Sequence, residues 1–177
     1  MKKVALVMAF GLALAAGIGA QAPADLKVGD TAPAFSLPGS DGKTHTLADY
    51  KGRFVVLAWY PKAFTGGCTA ECKAFTSSGE TIKQYNVAYF MASVDDAETN
   101  KKFAEQEQAN FPMLSDPSKK VADAYGVLKV PGMGFAQRWT FYVGPDGKIL
   151  YIDKAVNTAT AGADLAARLE ALGARKK

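Results

Sequence analysis

Two thiols dominate the chemistry available to this chain. Cys68 and Cys72, its only cysteines, lie four positions apart in Tyr60-Pro61-Lys62-Ala63-Phe64-Thr65-Gly66-Gly67-Cys68-Thr69-Ala70-Glu71-Cys72. The apolar run that precedes this stretch reads as a strand, and a helix is expected to begin near Cys68. Backbone N–H groups at a helix N-terminus have no intrahelical acceptor, and with the macrodipole they favour thiolate over thiol. Cys68 is therefore the candidate redox nucleophile.

The beginning of the chain suggests the compartment. Met1-Lys2-Lys3, then the uncharged apolar stretch Val4 to Ala20, then small residues at Ala20, Ala22 and Ala24 read as a secretory signal peptide spanning 1–24. Cleavage fits after Ala22 or Ala24, and Ala24 is preferred because the earlier cut leaves Pro23 directly after it. The apolar run is shorter than the ~20 residues a membrane span needs, so no stable membrane association is expected once the leader is removed. In a bacterium the address is periplasmic, and that compartment permits disulfides.

Residues 25–177 then form a single domain with enough apolar content to build a core without staples. Loss of Lys2 and Lys3 takes the net charge from +4 to +2. With no basic stripe and no interleaved aromatics, a nucleic-acid partner is excluded. There is no internal repeat and no interdomain linker.

The elements that must position the cysteines alternate between strand and helix. Arg53 to Tyr60 and Val87 to Val94 are continuous apolar runs, expected as buried strands. The helix at Cys68 is weakened at Ser77-Ser78-Gly79. Ala97 to Asn110 and Lys119 to Tyr125 read as helices, the latter stopped by Gly126. Trp139 to Val143 and Lys148 to Ile152 flank the turn Gly144-Pro145-Asp146-Gly147, and Leu165 to Leu172 forms a closing helix. Phe35-Ser36-Leu37 and the turn Gly39 to Lys43 add an N-terminal strand. Two βαβ passages, a hairpin and a helix predict an α/β thioredoxin-like fold, a central mixed sheet flanked by helices. His45, the only histidine, is expected in a polar turn as a structural or solvent-exposed residue.

Pro61-x-x-x-Thr65-x-x-Cys68 with Glu71, then Phe111-Pro112-Met113-Leu114-Ser115-Asp116-Pro117 and Arg138-Trp139-Thr140-Phe141, resembles the peroxiredoxins. The resemblance runs from about Val28 to Leu172. It is closest to the peroxiredoxin Q, or bacterioferritin comigratory protein, branch of these AhpC/TSA-type domains. It implies a thiol peroxidase for hydrogen peroxide and organic hydroperoxides, with an antioxidant role. By that resemblance Cys68 is the peroxidatic nucleophile, which becomes a sulfenic acid. Arg138 stabilises the thiolate and the leaving oxygen, Thr65 hydrogen-bonds the peroxide, Pro61 shields the pocket, and Glu71 orients Arg138. No cofactor and no metal are implied. The expected partners are a hydroperoxide and a thioredoxin-like or other thiol reductant, and the expected state is a monomer or weak homodimer.

Cys72 departs from that branch, whose resolving cysteine commonly lies five residues after the nucleophile. At one helical turn the two Cα atoms stand ~6 Å apart, but the side chains project in nearly the same direction, so a disulfide requires the turn to unwind. Gly66-Gly67 makes unwinding easier. The expectation is resolution by Cys72, against direct reduction of the sulfenic acid by an external thiol. Two other classes fit a secreted Cys-x-x-x-Cys domain. A Sco-type copper chaperone would need a histidine after the cysteines, and none follows His45; a thiol-disulfide oxidoreductase usually rests on Cys-x-x-Cys and leaves Thr65 and Arg138 unexplained.

Overall fold

The computed structural model describes residues 25–177. The expected signal peptide lies outside the described residues. The chain opens with a hairpin of β1 (Ser36–Pro38) and β2 (Thr44–Thr46), followed by a 3-10 turn at Leu47–Tyr50. Then come β3 (Phe54–Trp59), α1 (Gly66–Ser77), α2 (Gly79–Ile82), β4 (Val87–Ser93), α3 (Ala97–Gln106), β5 (Met113–Ser115) and α4 (Lys120–Ala124). A second small hairpin, β6 (Leu128–Val130) with β7 (Met133–Ala136), precedes β8 (Thr140–Val143), β9 (Ile149–Asp153) and α5 (Ala161–Ala171).

The central sheet has five strands in the order β5-β4-β3-β8-β9. β3, β4 and β5 are parallel, joined by crossovers that carry α1 and α3, while β8 and β9 run antiparallel. This is the predicted thioredoxin-like arrangement. Every residue of β3 and β4 is buried because both sheet faces are covered, which is why these strands read as unbroken apolar runs. Val56, Ala58 and Tyr60 pack in one core with Cys68, Cys72, Phe75 and Leu165. Val55, Leu57 and Trp59 pack in the other, with Tyr125 and Phe141. The two thiols thus belong to one face of the sheet.

α1 is clamped along its second half. A Cβ on Gly162 of α5 would stand 2.0 Å from the Ala74 carbonyl oxygen, so the two helices meet backbone to backbone only because residue 162 is glycine. At the break between α1 and α2 a Cβ on Gly79 would stand 2.4 Å from the Asn110 side chain. That side chain donates to Thr76 O and accepts from the Tyr89 hydroxyl.

Two expectations need correction, and some short elements were not anticipated. α3 ends at Gln106 rather than Asn110, because Gln108 turns to φ 52° and sends the chain toward the Asn110 contacts. His45 lies on β2, not in a turn, and is buried, with Nδ1 on the Tyr50 hydroxyl at 2.5 Å and Nε2 on Asp41 at 3.0 Å. β5 and the β6–β7 hairpin had no predicted counterpart, being too short for a period to register.

Candidate active site

β3 delivers the chain to the carboxyl edge of the sheet, and Pro61 to Thr65 turn it into α1. The turn is strained. Phe64 has φ 61°, a left-handed conformation that costs a bulky residue on the order of 1–3 kcal/mol. Its ring lies edge-on to Phe103 with centroids 5.1 Å apart, which helps hold it there. Thr65 follows at the N-cap position of α1, yet no side chain caps the helix. Its hydroxyl donates instead to Lys62 O at 2.9 Å. Cys68 is the third helical residue and is fully buried, in the turn whose amides helix geometry leaves unpaired.

Arg138, immediately ahead of β8, reaches this turn from the far side of the sequence. Its Nη2 donates to Cys68 Sγ at 3.3 Å and its Nη1 donates to Glu71 Oε2. The guanidinium therefore ties the first two turns of α1 to the segment leading into β8, through the Cys68 thiol and the Glu71 carboxylate. A Cβ on Gly67 would stand 3.2 Å from Nη2, so residue 67 leaves the room the guanidinium occupies. Burial works against the charge on Arg138, but Glu71 and Cys68 outweigh it and raise the guanidinium further above its ordinary range. Glu71 is completely buried and its Oε1 has no hydrogen-bond partner. Burial pushes its carboxyl up to about 7, although Arg138 pulls the other way.

Beyond Arg138 the site opens into a groove of about 680 Å³ lined by Pro61, Arg138, Trp139 and the β6–β7 residues Val130, Met133 and Phe135. Val130, Met133 and Phe135 are exposed large apolar side chains. Lys62 and Lys154 stand over the Phe135 and Trp139 rings at 5.2 and 4.1 Å.

The model of the AhpC/TSA family aligns with residues 28–152 of the chain. The chain belongs to the AhpC/TSA family. Peroxiredoxin Bcp of Escherichia coli strain K12 is 37% identical over 132 residues, covering 72% of this chain and 85% of that protein. Peroxiredoxin Bcp of Bacillus subtilis is 34% identical over 131 residues, covering 71% and 83%. Among solved structures, peroxidoxin BcpB of Mycobacterium tuberculosis superposes with a TM-score of 0.74 at 30% identity, covering 82% of this chain and 97% of that one.

Within this AhpC/TSA-family chain, the structure gathers Cys68, Arg138 and Glu71 into direct contact, sets Thr65 at the mouth of the same helix, and puts Pro61 beside Arg138 in the groove wall. Cys72 is different. It is fully buried, unbonded to Cys68 and packed in the core beneath α1. Burial pushes its thiol up to about 12, opposed by the nearby Thr76 and Lys73 and reinforced by Glu107 and Glu71. Two features are not legible in the sequence alone: the spatial need for Gly67, whose type signals only flexibility, and the groove wall from β6–β7. An apolar residue at each of 130, 133 and 135, beside Gly132 and Gly134, was the available signal for the hairpin.

Proposed function

We propose that this chain is a thiol peroxidase in which Cys68 reduces hydrogen peroxide and organic hydroperoxides. The observation that carries the reading is the Arg138 Nη2 to Cys68 Sγ contact at 3.3 Å on an uncapped helix terminus. In the reaction the Cys68 thiolate attacks the terminal peroxide oxygen. The S–O bond forms as the O–O bond breaks, the hydroxyl stays on sulfur as sulfenic acid, and the leaving alkoxide or hydroxide takes a proton from water. Arg138 offers a planar fork to the sulfur and the departing oxygen, and the free amides of the first turn add fixed dipoles. Pro61 presents no N–H to compete for the peroxide. The apolar groove beyond Arg138 gives an organic substituent a place to lie.

Cys72 then resolves the sulfenic acid: its sulfur displaces water and the Cys68–Cys72 disulfide forms, to be reduced by a thioredoxin-like dithiol. Burial that keeps Cys72 a thiol supports a cycle in which the helix unwinds before resolution. The signal peptide proposed for residues 1–24 takes this cycle to an oxidising compartment, where a resting disulfide is tolerated. A Sco-type copper site is disfavoured, since His45 packs on Phe90 in the core opposite the cysteines, with both ring nitrogens engaged.

Stopped-flow consumption of hydrogen peroxide tests the reading. Cys68→Ser should abolish it, while Cys72→Ser should retain the first turnover and lose recycling. A Cys68→Ser protein that keeps more than a few per cent of the rate refutes the assignment.

A further inference from the structure

The peptide unit joining Lys62 to Ala63 is gripped at both ends. Its N–H, on Ala63, donates to Asp95 Oδ2 at 2.8 Å, and its C=O, on Lys62, accepts from the Thr65 hydroxyl at 2.9 Å. A peptide unit is planar, and in the trans form its N–H and C=O point in opposite directions. The acceptor on one end therefore sets where the other end aims. Here the Asp95 carboxylate sets the direction of the Lys62 carbonyl, and through it the place of the Thr65 oxygen.

Asp95 is itself anchored. Its backbone N–H donates to Ser93 Oγ at 3.1 Å, and its Oδ2 accepts the Ser93 hydroxyl at 3.0 Å. Ser93 Oγ also accepts from Asn100 Nδ2 at 3.1 Å. The two hydrogens of that Asn100 amide are shared among Ser93 Oγ, Leu114 O and Ser115 Oγ, and its Oδ1 accepts the Tyr60 hydroxyl at 2.6 Å. Ser93, Asn100 and Ser115 are essentially inaccessible to water. One buried network thus ties the carboxyl ends of β3, β4 and β5, and a satisfied network of this kind rigidifies what it joins. The neighbouring Asp96 does different work, capping α3 through Thr99 N at 2.7 Å.

We propose that Asp95 is a positioning residue for the Cys68 reaction, acting through Thr65. It turns the Lys62–Ala63 peptide so that the Thr65 hydrogen is committed to Lys62 O. The Thr65 oxygen is then left as an acceptor for the O–H of the incoming hydroperoxide, which orients the oxygen that sulfur attacks. This role rests on the peroxidase reading, and nothing in the sequence separates Asp95 from Asp96 beforehand.

The test measures the second-order rate with hydrogen peroxide by stopped flow, on the full chain, for Asp95→Ala, Asp95→Asn, Thr65→Val and the Asp95→Ala/Thr65→Val double variant. Asp95→Ala should lose about tenfold, on the order of one hydrogen bond to a charged group. Asp95→Asn, which keeps a carbonyl acceptor in the same place, should stay within threefold of wild type. In the Thr65→Val background the Asp95→Ala change should cost less than twofold, because the hydroxyl it positions is gone. A purely structural Asp95 predicts the opposite, the same tenfold loss in both backgrounds, and that result overturns the proposal. So does an Asp95→Ala rate within twofold of wild type. Should Asp95→Ala fail to fold, a folded Asp95→Asn that loses tenfold or more is equally fatal, since the acceptor is still present. A wild type that consumes no peroxide removes the peroxidase reading first, and this role with it.

Discussion

Gly67 and Arg138 share one volume: the space a Cβ would take at residue 67 ends 3.2 Å from the guanidinium Nη2 that bonds Cys68. Gly67→Ala should therefore separate stability from activity. Helix propensity favours alanine by up to about 1 kcal/mol, so the melting temperature should hold or rise. The displaced guanidinium should cost about tenfold in peroxide rate. Gly66→Ala is the control, because nothing lies within 4 Å of its Cβ position, and its peroxide step should match wild type. Equal rates for Gly67→Ala and wild type would show that the arginine can yield without loss.

Arg138→Lys keeps the charge and loses the fork. A single ammonium cannot hold Glu71 Oε2 and Cys68 Sγ at once in the way the two guanidinium nitrogens do. The expected loss in rate is on the order of 10²-fold, comparable with removing one oxyanion donor. Circular dichroism should show the fold intact. A rate within threefold of wild type would make Arg138 a structural residue.

Glu71 should leave a mark on the pH dependence of stability. Its folded-state carboxyl sits at about 7 against an ordinary 4.5, raised by burial despite Arg138. Between those values the folded state holds more protons than the unfolded one. The contribution is therefore fully present below the unfolded value and is lost as pH rises toward 7, with no further change above it. Denaturant titrations across that window, compared between wild type and Glu71→Gln, isolate the effect. The wild type should lose stability relative to the variant as pH rises; the opposite slope would mean that the ion pair with Arg138 outweighs the cost of burial.

One equivalent of peroxide should produce an intramolecular Cys68–Cys72 disulfide, seen as a loss of two hydrogens by intact mass. Before oxidation, Cys72 should resist alkylation, its thiol held up to about 12 by burial and by Glu107 and Glu71, despite Thr76. Amide exchange should then rise from Gly67 and stop near Ala74, where the backbone contact with Gly162 pins the helix. A stable sulfenic or sulfinic acid with Cys72 still free would make this a one-cysteine enzyme.

The fold was legible where burial writes a plain pattern. β3 and β4 announce themselves because both faces are covered, and the β8–β9 hairpin because Gly144 to Gly147 can only turn. Cys68 was legible from its own surroundings. Arg138 was not, since no local periodicity joins residues 70 apart, and only the motif resemblance singled it out. The grip of Asp95 on Ala63 was invisible for the same reason: it spans 32 residues and depends on strand register, which sequence spacing does not reveal. Thr65 shows the limit most directly. Its position before the helix is that of an N-cap, where threonine normally bonds the first turn, and the loop geometry draws its hydroxyl away.

That diverted hydroxyl leaves the first turn of α1, which contains Cys68, without a side-chain cap from Thr65. An anion beside unpaired first-turn amides is worth roughly 0.3–1 kcal/mol, rising to about 2 where partly buried. In the proposed cycle the reacting thiolate would supply it and a neutral sulfenic acid would not. In that cycle oxidation would withdraw the helix's own terminal counter-charge at the step where the turn has to open. If the proposed cycle holds, its timer lies in the reacting atom: consuming the peroxide would itself loosen the segment that covers Cys72.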